Sequence, residues 1–198
     1  MNKFSKFFLA IVALFAITAC TTSAPTTPTP TINFSDSPKI NVNVAQIEVI
    51  EAYKSPFAAP NIEHLMPYSP ADAMQLWIKD RLRAVGSDKL LQITIVDAHV
   101  IESKLPKTQG LKGLFTIDQD KKYDARLEVE MRIYGDAALS EADTSVSVTR
   151  SITIPENASV NSRTAAYVKM IHDLMEIMDA RLEKNMHEYM RNYIAFTK

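Results

Sequence analysis

Apolar and polar residues alternate along several stretches of the chain, and each alternation predicts a strand. Ile40, Val42 and Val44 share one phase, while Ile47 and Val49 take the other. Residues 40–53 therefore read as a strand with a bulge near Ala45-Gln46, or as one buried on both sides. Residues 91–101 form a second strand. Residues 123–134 give the cleanest pattern: Tyr123, Ala125, Leu127, Val129, Met131 and Ile133 make one face, and Asp124, Arg126, Glu128, Glu130 and Arg132 the other. That is a sheet with one face buried and one wet. Residues 144–154 repeat it, with Val146, Val148, Ile152 and Ile154 inward and Pro155 as the stop. Arg150 falls on the inward phase, where a charge needs an ion-pair partner or an edge position.

Two stretches carry helical spacing instead. Ser69-Pro70-Ala71-Asp72 is a helix start: a serine cap, a proline suited to the first position, and an acid at the positive end of the dipole. Ala71, Met74, Trp77, Ile78, Leu82 and Val85 then form a stripe, and Gly86 reads as its stop. The second helix covers residues 162–194, with its stripe on Val168, Ile171, Met175, Met178, Leu182, Met186, Tyr189 and Tyr193. At 1.5 Å per residue it is about 50 Å long, whereas a strand of ten residues spans about 35 Å. Its last turns are expected to overhang the sheet, kink or meet a partner.

The order β-α-β-β-β-α predicts an α+β fold, a two-layer sandwich. A four-stranded mixed sheet carries both helices on one face, the last three strands form an antiparallel meander, and the first helix crosses between strands one and two.

The beginning of the chain is different in kind. Lys3 and Lys6 precede a continuous apolar run over residues 7–18, and Ala19 precedes Cys20, the one cysteine. The run is too short to span a bilayer and reads as a secretory signal over residues 1–19. Ile17-Thr18-Ala19-Cys20 resembles the lipobox of bacterial lipoproteins. The resemblance implies that the Cys20 sulfur is acylated and the chain cut before it. Thr21 in place of aspartate implies sorting to the outer rather than the inner membrane. At about 0.8 kcal/mol per buried methylene, two or three acyl chains supply on the order of 20–30 kcal/mol, a lasting anchor. Residues 20–38, with four prolines and many Thr and Ser, read as a tether reaching roughly 50 Å. Residues 39–198 remain as a single domain.

Composition narrows the function. The chain is 46% hydrophobic and 23% charged, as globular proteins are. Loss of residues 1–19 removes Lys3 and Lys6, leaving 20 basic against 23 acidic groups and a net charge of −3. No basic patch predicts nucleic acid. One cysteine excludes a disulfide framework and a thiolate zinc site. There is no Gly-x-Ser-x-Gly, His-Glu-x-x-His, Walker or Gly-x-Gly-x-x-Gly motif. His99 lies two residues from Asp97 on one strand face, a pair that could orient an imidazole for base catalysis, but no serine or cysteine is placed for activation. His172 with Glu176, and Glu183 with His187, are helix-surface pairs. Asp118, Asp120 and Asp124 match three positions of a calcium loop, yet Tyr123 stands where it needs glycine and Val129 where it needs glutamate. No metal and no cofactor is expected.

Two long loops are more informative. Residues 54–68 carry Phe57, Ile62, His64, Leu65 and Met66, and residues 103–121 carry Leu105, Leu111, Leu114, Phe115 and Ile117. Loops seldom expose such residues. They either fold back to cap the core or make an apolar docking surface for a protein or a lipid. Lys104, Lys107 and Lys112 would suit an acidic partner or headgroup.

The element order behind a lipobox and a Pro-rich tether is similar to small lipoproteins that assist envelope lipid traffic. Among these are the lipopolysaccharide-assembly lipoprotein and the auxiliary lipoproteins of ABC-type transporters. Pro60-Asn61-Ile62-Glu63-His64, the run from Asp80 to Gly86, and the run from Gly110 to Thr116 resemble an uncharacterised group of proteobacterial membrane-anchored lipoproteins, from which no functional residue carries over. The resemblance implies a non-enzymatic, lipid-anchored periplasmic protein that docks on an envelope partner. The alternatives are a periplasmic lipid carrier with an apolar groove between helices and sheet, and a hydrolase.

Overall fold

The computed structural model describes residues 31–105, 119–135 and 139–196. Within them run β1 (Ile40–Val42), β2 (Gln46–Glu51), α1 (Pro70–Arg81), β3 (Leu82–Ala84), β4 (Leu90–Asp97), β5 (Val100–Lys104), β6 (Gln119–Tyr134), β7 (Ser140–Pro155), α2 (Val160–Tyr189) and β8 (Ile194–Phe196). Short 3-10 turns stand at Glu63–Leu65 and Arg191–Tyr193.

The main sheet is built on β6. β4 and β5 pair antiparallel with it along the same edge, β7 pairs antiparallel with the other edge, and β2 pairs in parallel with β4. The expected meander is present, and α1 is the crossover between parallel β2 and β4. The strand expected over residues 91–101 is interrupted at Ala98-His99, after a register shift between Ile95 and Asp97, so it counts as β4 and β5. The inward residues of β6 from Tyr123 to Ile133 are all buried. Both helices touch β6 and each other, which puts them on that one face. The opposite face carries ion pairs: Lys122–Asp124 at 2.7 Å, Arg126–Glu128 at 2.6 Å and Arg132–Glu130 at 3.2 Å. Among the described residues no helix is long and apolar enough to cross a membrane.

A second sheet, in the order β3-β1-β8, departs from the expected four strands. The phase change near Ala45 is the reason for the first difference. Residues 40–53 are two strands in two sheets: the chain bends at residues 43–45, where the Ala45 amide donates to Asp88 and Lys89 carbonyls. The second difference is at the end of α1. The helix stops at Arg81 instead of running to Gly86, and residues 82–84 pair in parallel with β1. Gly86 is therefore no helix stop. Its amide donates to the Val44 carbonyl at 3.0 Å, and a Cβ there would lie 2.7 Å from the Val44 nitrogen. The glycine permits this close approach. The third is at the end of α2, which stops at Tyr189. Residues 194–196 turn back as β8 against β1, so the expected overhang is replaced by a strand.

The start of α1 is as expected, with a capping box between Ser69 and Asp72. α2 opens on a Ser159 cap and lies along β7. Arg181 donates to the Ser147 carbonyl at 2.8 Å and Asn185 to the Ser145 carbonyl at 3.3 Å, which covers an otherwise open strand edge. Arg150 is exposed and meets Asp173 of α2 at 2.8 Å, an ion pair rather than a buried charge.

The tether expected over residues 20–38 is not free along its last part. Ile32 and Phe34 are 5% and 8% exposed. The Phe34 amide donates to Asp80 at 3.2 Å, Lys39 donates to the Asp80 carbonyl and Arg81 to the Pro38 carbonyl. The domain's packing begins before residue 39. Cys20 and the signal segment lie outside the described residues.

Candidate docking surface

Loop 52–69 takes over the sheet edge where β2 ends. Pro56, Pro60 and Pro67 prevent a regular ladder. The loop is nonetheless fixed to the sheet at several points. The Ile62 amide donates to the Val100 carbonyl and the Glu102 amide to the Pro60 carbonyl, each at 2.9 Å, and Asn61 forms a bridge with Ile101.

A buried carboxylate holds the rest. Glu63 is 3% exposed. It accepts from the Tyr53 hydroxyl at 2.7 Å, the Ser55 hydroxyl at 2.5 Å and the Val100 amide at 3.1 Å. Burial alone would raise its pKa. The hydrogen bonds from Ser55, Tyr53 and the backbone outweigh it and hold the carboxyl below its ordinary value. Burial, then the hydrogen bond to Glu63 and its charge, push the Tyr53 phenol far up. Asn61 closes the network by donating to the Tyr53 oxygen at 3.2 Å.

On this fixed base sit the exposed apolar residues. Phe57 is 74% and Leu65 71% exposed. Phe57 has φ 52°, a left-handed conformation that is a genuine outlier for a bulky residue. Its ring lies against His64, with centroids 5.4 Å apart. The His64 Nδ1 is enclosed without a hydrogen-bond partner. Beneath them, between the loop and the start of α1, is a cleft of 280 Å³. Glu51, Glu63, Asp72, Tyr53, His64 and Phe57 line it.

The residues expected to form a docking surface are thus divided. Phe57 and Leu65 are each exposed, and His64 is half-buried beside Phe57. Ile62 is buried at 8% exposure and belongs to the core, because its backbone is tied to β5. Leu105 is half-buried. Leu111, Leu114, Phe115 and Ile117 lie outside the described residues.

The other polar clusters among the described residues carry ion pairs of their own. His99 Nδ1 lies 2.7 Å from Asp97, whose second oxygen takes Arg126 at 3.2 Å. His172, Asp173 and Glu176 offer ligand atoms within 4.8 Å of one another. Asp173, however, accepts from Lys169 at 2.8 and 2.9 Å and from Arg150 at 2.8 Å. Burial would raise the Asp173 pKa, and these two cations reverse it and hold it low. Asp124 stands on β6, where it accepts from Lys122 and from Ser151 of β7, and Asp118 lies outside the described residues.

No family model and no curated protein matches the chain. Solved structures with some likeness include a minor lipoprotein from Acinetobacter baumannii, at 8% identity and TM-score 0.39, covering 79% of this chain and 98% of that one. A DUF330 protein from Xanthomonas campestris follows at 10% and 0.31, covering 75% and 97%. A lipoprotein from Neisseria meningitidis stands at 13% and 0.25, covering 67% and 98%. At these values no residue and no activity carries over to this chain.

Sequence reasoning missed Glu63 and Arg81 as organising residues. Arg81 had a signal: it is a basic residue on the apolar side of a helix, four positions after Trp77. Glu63 had none, since its donors Tyr53, Ser55 and Val100 stand as far as 37 residues away.

Proposed function

We propose that this chain is a lipid-anchored lipoprotein on the periplasmic face of the outer membrane, acting by docking as an accessory to envelope assembly or lipid transport. Anchoring rests on the lipobox-like run that ends at Cys20. Docking rests on one structural observation: Phe57 is held in a strained conformation, largely in solvent, on a loop that a buried carboxylate fastens from below. Strain of this kind persists where surrounding structure enforces it, and a rigid base presents the Phe57 ring to a partner with little ordering cost.

The carrier reading needs an apolar cavity between helices and sheet. Met74, Trp77, Met170, Leu174, Met175 and Met178 fill that space and are all fully buried, which favours docking over carriage. In the cleft Glu63 already accepts three hydrogen bonds, and the Ser55 hydroxyl donates to it rather than to His64, so no activated nucleophile stands beside the imidazole.

Two experiments test the proposal. Labelled palmitate should enter the wild-type protein and not Cys20→Ser, and only the wild type should sediment with membranes. A Phe57→Ser/Leu65→Ser protein should keep the wild-type thermal midpoint yet fail to restore the envelope's exclusion of large apolar antibiotics in a deletion strain. Full restoration by the double variant would refute the docking surface.

A further inference from the structure

The two outer edges of the main sheet differ. β7 has α2 along it, with Arg181 and Asn185 donating to its carbonyls. β2 pairs with β4 on one side, and among the described residues no strand pairs with its other side. Its residues, Gln-Ile-Glu-Val-Ile-Glu, include no proline and no lysine, the usual guards of an open edge. All but Ile47 are exposed, and Val49 and Ile50 are large apolar residues at 40% and 38% exposure.

Register says which backbone groups are open. The Ala52 amide donates to the Ile95 carbonyl, and Glu51 lies opposite Ile95. Backbone groups alternate sides along a strand, so those of the even-numbered residues face β4. The N–H and C=O groups of Ile47, Val49 and Glu51 face the other way. The side chains of these three share the helix face with Leu91, Ile93 and Ile95, their buried opposites on β4.

We infer that this edge pairs with the same edge of a second copy, antiparallel about a two-fold axis at Val49. A two-fold axis perpendicular to the sheet keeps both helix layers on one side. Each residue must then meet one of its own face, and the axis passes through a single residue. With Val49 on the axis, Val49 faces Val49 and Ile47 faces Glu51, which closes every open group of both strands. With Glu48 on the axis, two carboxylates stand directly opposite. Glu51 would also face Ala45, whose amide is already given to Asp88 and Lys89. With Ile50 on the axis, Ile47 would face Tyr53, whose amide is already given to Ile95. Charge fits the Val49 register as well. Glu48 faces Ile50, so no carboxylate is directly opposite another. Exposed Lys54 falls opposite Val44, next to Ala45 and the Asp88 bonded to it, whose side chain is 60% exposed. The like-charge pair is Glu48 with Glu48, diagonal and about 7–8 Å apart, each accepting from Gln92. The inference is independent of acylation at Cys20 and of the Phe57 loop.

The lone cysteine makes the test clean. Residues 20–198 carrying Cys20→Ser hold every described residue and no thiol, so an introduced cysteine stands alone. This parent should sediment as a dimer. On mild copper oxidation Val49→Cys should crosslink to itself. Ile47→Cys and Glu51→Cys should each do so several-fold less, yet crosslink as readily as Val49→Cys when the two are mixed. Val49→Lys, at an exposed site, should keep the parent's far-ultraviolet spectrum and weaken the dimer about tenfold or more, and Glu48→Gln should tighten it several-fold. A monomeric parent whose Val49→Cys variant forms no dimer overturns the inference. So do equal self-crosslinking of all three single variants, which is collision, and crosslinking of Val49→Cys in cells to another protein and never to itself.

Discussion

Arg81 of α1 and Asp179 of α2 form an ion pair of 3.1 Å whose guanidinium is 2% exposed. The Trp77 indole donates to the same Asp179 oxygen at 2.6 Å, and Glu183 takes a second Arg81 nitrogen at 3.0 Å. With the Pro38 carbonyl also accepting from Arg81, one side chain joins both helices and the N-terminal segment. The two partners differ in burial, because Asp179 is 26% exposed.

That difference predicts an asymmetry. Asp179→Ala leaves a buried cation short of its main counter-charge and a buried indole N–H without an acceptor, and should cost about 3–5 kcal/mol. Arg81→Met keeps most of the volume and leaves carboxylates that water can reach, and should cost about 1–2 kcal/mol. Urea unfolding of the two variants measures this. Equal costs would mean that the network contributes by packing alone.

The close approach at Gly86 gives a second prediction. A methyl there meets backbone atoms of Asn43 and Val44 at 2.7 Å, which cannot move aside as a flexible side chain would. Gly86→Ala should therefore destabilise by about 1–3 kcal/mol. Hydrogen exchange should show the added opening at the Val85 and Gly86 amides, which bond to Val42 and Val44. A change spread evenly over both sheets would contradict it.

Ile32 and Phe34 set the third. Burial of each contributes about 1.5–3 kcal/mol. A protein beginning at Thr31 should match the full mature chain in stability. One beginning at Ile40 should be weaker by several kcal/mol, since it also loses the Pro38 acceptor of Arg81. Comparison of their urea midpoints decides whether residues 31–39 are tether or fold.

How far the sequence spoke depends on the range of the interaction involved. The faces of β6 and the cap of α1 were legible because alternation and capping are local. The parallel β2–β4 crossover followed from element order. β3 and β8 were not legible: three residues show no period, and they exist because β1 offers two edges. That long-range pairing, and no breaker residue, ends both helices. Phe57 and Leu65 were legible as apolar residues in a loop, though the sequence could not separate them from Ile62. The separation comes from backbone bonds to β5, which depend on chain 38 residues further on. Glu63 was hidden for the same reason.

Glu63 carries the last prediction, on acid stability. Its folded pKa lies below the ordinary carboxyl value of 4.5. The unfolded state therefore binds the proton more readily. The stabilisation is fully present above about pH 4.5 and is lost as pH falls through the lower, folded value. Glu63→Gln removes the charge and sets an amide donor against groups that all donate: Tyr53, Ser55 and the Val100 amide. At neutral pH it should cost about 1–3 kcal/mol. The gap between wild type and variant should narrow on acidification below about pH 4.5, because the wild type loses the same term. Asp124 and Asp173 are also held low, by Lys122 and Ser151 and by Lys169 and Arg150 against burial, and they titrate equally in both proteins. Urea unfolding at neutral pH and at about pH 3.5 isolates Glu63. A gap that stays constant would show that the hydrogen bonds do not depend on its charge. Loop 52–69 would then be held by Ile62 and its backbone bonds to β5, and Phe57 should keep its exposed position in the variant.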